Sequence, residues 1–135
     1  MLFRSAAMAV LLRGDVFHAA VAGAPVTDWA LYDTAYTERY LGLPDDAGEV
    51  YAHHSLLELA AEPPATPDEA RPLLLVHGLV DDNVVAAHTL RLSAALLASG
   101  RPHAVIPLTG ATHMAAGGAA ERLLRIELDF IRRNL

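Results

Sequence analysis

The chain has 135 residues, 53% of them hydrophobic, no cysteine and a formal net charge of −6. That length supports one domain and not two, and the apolar share fits a buried α/β core and not a disordered chain. The acidic balance and the lack of any Lys/Arg block argue against a nucleic-acid or acidic-membrane partner, and the missing cysteines exclude disulfides, thiolate-bound zinc and a thiol nucleophile while suiting a cytoplasmic or a secreted setting equally.

No apolar run reaches the length of a transmembrane helix, about 18 residues. The run Ala6 to Leu12 behind Arg4 is short for a signal peptide and is followed by Arg13 and Asp15. Residues 4–13 instead read as the end of a buried helix, closed by Gly14-Asp15. Phe17 to Ala24 reads as a short buried strand ending at Pro25. Thr27-Asp28 is an N-cap pair for a helix carrying Trp29, Tyr32 and Tyr36 at spacings of three and four; Gly42 and Pro44 stop it. Within it, Glu38-Arg39 is expected to form a salt bridge beneath the aromatic side chains. Residues 44–71 are polar and irregular, with room for a helical turn or two over 49–60 and a proline-rich loop at 62–67.

From Arg71 the pattern is regular. A strand over 72–76 leads into the loop His77-Gly78-Leu79-Val80-Asp81-Asp82-Asn83-Val84. A helix follows over about 85–98, with Leu90, Ala94 and Leu97 on one face, and Gly100 and Pro102 end it. A strand over 103–108, the loop Gly110-Ala111-Thr112-His113 and an amphipathic helix over about 117–134 complete the chain. That last helix is expected to turn Leu123, Leu124, Leu128 and Ile131 inward and Glu121, Arg125, Arg132 and Arg133 outward. Continuous apolar strands alternating with helices predict parallel pairing, hence an α/β fold: a parallel sheet with flanking helices.

Asp81 and His113 each stand on a loop leaving a buried strand, acid before histidine. This is the order of the last two members of an α/β-hydrolase triad. An imidazole with an ordinary pKa of about 6.5 can take a hydroxyl proton at neutral pH and return it to a leaving amine. A buried carboxylate fixes the tautomer and steadies the imidazolium. The Gly-x-Ser-x-Gly turn that presents the serine is absent, and three strands fall short of a full hydrolase sheet. The chain is therefore expected to be the C-terminal portion of an α/β-hydrolase fold, an incomplete domain spanning 1–135 that lacks the N-terminal strands and nucleophile elbow.

The segments Ala24-Pro25-Val26-Thr27-Asp28-Trp29, Tyr32-Asp33, Tyr36-Thr37-Glu38-Arg39-Tyr40-Leu41-Gly42 and His77 to Val84 together resemble the catalytic domain of prolyl oligopeptidase family serine peptidases, in the dipeptidyl peptidase IV branch. The resemblance runs from about Phe3 to the end. It implies that Asp81 orients the base His113, that Asn83 holds a substrate carbonyl, and that Trp29, Tyr32 and Tyr36, walled by Val26 and Val84, form a small pocket for proline or alanine beside the scissile bond. It further implies an acyl-enzyme route with no metal or organic cofactor, a peptide as partner, and a homodimer of the full-length parent. Phe3 matches the aromatic after the nucleophile's paired glycines, which sets the serine before Met1. Ser5, inside a helix, is no substitute, so the chain alone is expected to be inactive.

Plainer readings stand beside these. Asp81-Asp82 can serve as a helix N-cap pair, His113 as an exposed loop residue, and the three aromatics as core. His77 reads as a packed strand-end residue, and His53-His54 lacks a third metal ligand at sensible spacing. Another α/β-hydrolase, such as an esterase or acylaminoacyl peptidase, or a non-catalytic truncated fragment, would also carry the acid and the histidine.

Overall fold

A computed structural model describes residues 2–113 and 118–135. Three strands, β1 (Ala20–Gly23), β2 (Leu73–Gly78) and β3 (His103–Leu108), form one sheet in the order β1-β2-β3. Both pairings are parallel, with Ala20 opposite Leu73 and Leu73 opposite His103. The central strand is buried at all six positions, as a parallel strand covered on both faces must be.

The two faces carry different helices. Leu73 and Leu75 of β2 and Ala20 and Ala22 of β1 join one cluster with Ala7 and Val10 of α1 (Leu2–Leu12), Leu56 and Ala60 of α4 (Leu56–Ala61), and Leu92 and Leu96 of α5 (Ala87–Ala98). Alternate residues point to the opposite face. There Val76 meets Ala120 and Leu123 of α6 (Gly118–Arg133) around a shared cavity. Two shorter helices, α2 (Thr34–Leu41) and α3 (Gly48–His53), lie between β1 and α4 in sequence.

Several expectations need correction. The first strand begins at Ala20 and not at Phe17. Ala20 is where the partner register starts, and Val16 and Phe17, which precede it in the chain, are exposed. The aromatic helix divides in two. Asp28 caps a 3-10 turn over Trp29–Leu31, Tyr32 is extended, and Asp33 caps α2 through Ala35 N–H. Glu38 and Arg39 form no ion pair among the described residues; the Arg39 guanidinium lies 5.7 Å from the centre of the Tyr40 ring instead. On α5 the face with Leu90, Ala94 and Leu97 is exposed, and His88, Thr89, Leu92 and Leu96 face the core. On α6, Leu124 and Leu128 are exposed, while Leu123, Glu127, Phe130 and Ile131 are half-buried. On α5, which has apolar groups around much of its girth, the neighbours it meets select the buried stripe; on the amphipathic α6, Leu123 and Ile131 are covered as expected and Glu121, Arg125, Arg132 and Arg133 are exposed.

Candidate active site

The acid loop begins where β2 ends. Asp81 accepts hydrogen bonds at Oδ1 from the backbone N–H groups of Asn83 and Val84, each at 2.9 Å. These bonds curl the loop around its own carboxylate. Neither Asp81 nor Asp82 caps α5, whose N-cap is Ala86 without a side-chain bond. The second oxygen, Oδ2, is thus left for a partner.

That partner is His113, whose Nδ1 lies 2.8 Å from Asp81 Oδ2. A carboxylate only accepts, so Nδ1 carries the proton and Nε2 keeps the free lone pair. The Asp81 side chain is fully buried and that of His113 is 35% exposed, so the imidazole has one end anchored and the other reachable. Burial alone pushes the Asp81 carboxyl up, but the hydrogen bonds from Val84, His113 and Asn83 outweigh it and hold the group below the usual carboxylate range.

Two features bring the histidine loop over the acid loop. Leu79 N–H donates to Leu108 O at 3.0 Å and Val80 N–H to Ala111 O at 3.2 Å, stitching one loop to the other. Gly78 then lets them close: a Cβ there would drive into the carbonyl oxygens of Thr112 and Ala111. Gly110, at φ 75°, turns the chain just before.

In front of His113 lies a cavity of about 260 Å³ lined by Phe3, Arg4, Ala24, Val26, Trp29, Tyr32, Tyr36, Asn83, Val84 and His113. All six residues assigned from the sequence to substrate binding border it, together with His113, while Asp81 stands behind the histidine. Trp29 and Tyr36 are stacked with centroids 6.1 Å apart, and Tyr32 meets both edge-on. Tyr32 Oη lies 3.3 Å from Asn83 Oδ1, which leaves the amide nitrogen as a donor.

Some cavity residues had no site role assigned from the sequence. Arg4 lies 5.5 Å from the centre of the Trp29 ring and donates to His54 O behind it. Ala24 has φ 41° and receives its register from Val76 O at 2.7 Å; a non-glycine residue there is strained, and the only hint in the sequence is the proline that follows. His77 is buried, with ring contacts to Thr89 and Val84. His53 and His54 meet edge to face, with centroids 5.1 Å apart, and no group of three metal-ligating side chains forms among the described residues. Ser55 caps α4, Ser93 meets His103, Ser99 donates to Ala60 O and Ser5 lies in α1. None of the four lines the cavities that His113 borders.

The sequence model of the prolyl oligopeptidase family matches residues 5–135. Human dipeptidyl peptidase 8 is 46% identical over 96 residues, covering 71% of this chain and 10% of that protein. Dipeptidyl aminopeptidase A of Saccharomyces cerevisiae is 40% identical over 90 residues, covering 67% of this chain and 9% of that protein. Among solved structures, dipeptidyl peptidase 4 of Porphyromonas gingivalis superposes with a TM-score of 0.85 at 29% identity, covering 96% of this chain and 18% of that one. The chain thus spans about a tenth of the length of these curated relatives.

Proposed function

This chain belongs to the prolyl oligopeptidase family of serine peptidases, and from that premise we propose that it is the part of an α/β-hydrolase catalytic domain that supplies the acid, the base and the specificity pocket of a dipeptidyl-peptidase-like enzyme. The single observation that carries this reading is the 2.8 Å contact of His113 Nδ1 with Asp81 Oδ2 at the rim of the aromatic cavity. The nucleophilic serine is assigned to a segment outside these 135 residues.

In this mechanism His113 Nε2 takes the proton of the serine hydroxyl as its oxygen bonds to the substrate carbonyl carbon. Collapse of the tetrahedral adduct breaks the C–N bond, and the departing amine leaves with that proton. Water repeats the cycle: Nε2 takes its proton, the ester breaks and the serine is restored. Asp81 stays ionised throughout and steadies the imidazolium. Asn83, held through its oxygen by Tyr32, donates its amide N–H to a substrate carbonyl.

The cavity's about 260 Å³ falls below the ~300–1,000 Å³ of sites that enclose drug-sized ligands. That size supports one compact side chain, and the flat faces of Trp29 and Tyr36 suit a proline ring or an alanine methyl. The peptide would thus be cut after proline or alanine near its amino end.

Two measurements test this. The isolated polypeptide is expected to leave a Gly-Pro anilide uncleaved; hydrolysis abolished by His113→Ala would overturn the assignment of the nucleophile elsewhere. Trp29 is the sole tryptophan, so its fluorescence reports the pocket directly. Gly-Pro dipeptide is expected to change it saturably, while short acyl esters leave it unchanged. The reverse outcome would favour an esterase, and no response to either a non-catalytic fragment.

A further inference from the structure

The motif His77-Gly78-x-x-Asp81 contains a histidine that the proposed mechanism does not use. His77, the penultimate residue of β2, has only 2% of its surface exposed, and both ring nitrogens are engaged. Nε2 lies 2.7 Å from the carbonyl oxygen of Val84, Nδ1 lies 2.6 Å from Thr89 Oγ1 on α5, and Nε2 is also 3.6 Å from Asp81 Oδ2. A carbonyl can only accept, so Nε2 bears the proton and donates to Val84. Nδ1 then has a lone pair, which the Thr89 hydroxyl fills. One neutral tautomer satisfies every contact.

The consequence lies in what Val84 belongs to. Its N–H donates to Asp81 Oδ1 at 2.9 Å, while its C=O receives His77. The same peptide segment is therefore gripped from both sides, by the carboxylate and by the imidazole. Without the His77 donor the Val84 carbonyl would be buried and unpaired, an unfavourable state that the loop would relieve by turning it toward solvent. Turning Val84 moves its own N–H away from Asp81 and frees the carboxylate to rotate off His113.

We propose that His77 is a positioning residue: its Nε2–H, braced through Nδ1 by Thr89, holds the acid loop in the one conformation that aims Asp81 Oδ2 at His113 and Asn83 at the cavity. The inference rests on the acid–base reading of Asp81 and His113.

The test uses the 135-residue chain itself and the downfield NMR resonance of the His113 Nδ1–H bonded to Asp81. This signal reports the contact whether or not the chain takes part in hydrolysis, so failure of the peptidase reading leaves the test standing. His77→Leu keeps the ring's bulk but no donor, and is expected to lose the resonance while far-UV circular dichroism stays native. His77→Gln, which carries an amide N–H near the Nε2 position, is expected to restore it. Retention of the signal in His77→Leu, or equal loss in the glutamine variant, would sink the proposal. Should His77→Leu not fold, Thr89→Val decides the matter: it leaves the imidazole in place and removes only its brace. The His113 signal is then expected to broaden and exchange faster with water, and an unchanged signal counts against the proposal.

Discussion

Asp81 uses its two oxygens for different ends, one to shape a loop and the other to orient a ring. Asp81→Asn separates them. The amide oxygen can still accept from Asn83 and Val84, but the NH2 now faces His113 and forces the imidazole to present Nδ1 as an acceptor. The proton moves to Nε2, and the free basic nitrogen is lost. Because the native carboxyl is held below the usual range, the unfolded chain takes up this proton first as pH falls. The stabilisation from Asp81 is complete above the unfolded value of about 3.9 and disappears as pH drops through the lower folded value. Urea unfolding of the parent and Asp81→Asn chains across a pH series should therefore show a stability gap that narrows only below about pH 5. The residue types and their order pointed to this pair from the sequence. Which oxygen serves which partner followed from the loop's curl around its own side chain.

At the scale of elements, the strand-end loops matter most. Gly78 stands where the acid loop departs and the histidine loop crosses, and its missing Cβ is what the crossing needs. Gly78→Ala is expected to push Ala111 and Thr112 off the end of β2, costing about 1–3 kcal/mol as overpacking typically does. His113 should part from Asp81, which amide chemical-shift changes confined to residues 78–84 and 108–113 would register. The sequence marked the glycine as part of a motif but held no sign of what it makes room for. Local chemistry also set the limit of the helix reading at residues 28–41. Spacings of three and four among Trp29, Tyr32 and Tyr36 fit one helix, yet a second capping aspartate at Asp33 restarts it. The split turns Tyr32 toward Asn83 while Tyr36 stacks on Trp29. Periodicity could not have shown this, since a cap and a mid-helix aspartate look alike in a one-dimensional pattern.

Across the whole molecule, a single apolar cluster holds α1, α4 and α5 to one side of the sheet. Leu75, fully buried on the central strand, lies at its middle. Leu75→Ala is expected to cost about 2–5 kcal/mol, a large part of the roughly 5–15 kcal/mol that a domain this size can hold. Loss of a cooperative urea transition, or a strongly lowered midpoint, is the outcome to look for; an unchanged midpoint would mean the cluster is not the core. The apolar runs of β2 and β3, the parallel order and the two functional loops were legible from the sequence, because strands of a parallel sheet leave a continuous apolar signature; β2 is buried throughout, whereas Ala104 and Pro107 of the edge strand β3 are exposed. The buried face of α5 was not, because that helix is apolar around much of its circumference; on the amphipathic α6 only part of the expected stripe, Leu123 and Ile131, is covered. Only the neighbours that a helix meets decide which side is covered. The sequence by itself determined the α/β class, the family motifs, and the acid and histidine at successive strand ends, all of them properties of short contiguous stretches. The tertiary structure alone decided the 2.8 Å contact between residues 32 apart, the tautomers of His77 and His113, and the gathering of six side chains and His113 around one cavity. These depend on where separate elements come to rest against each other, a sum over many packing contacts that no local pattern contains.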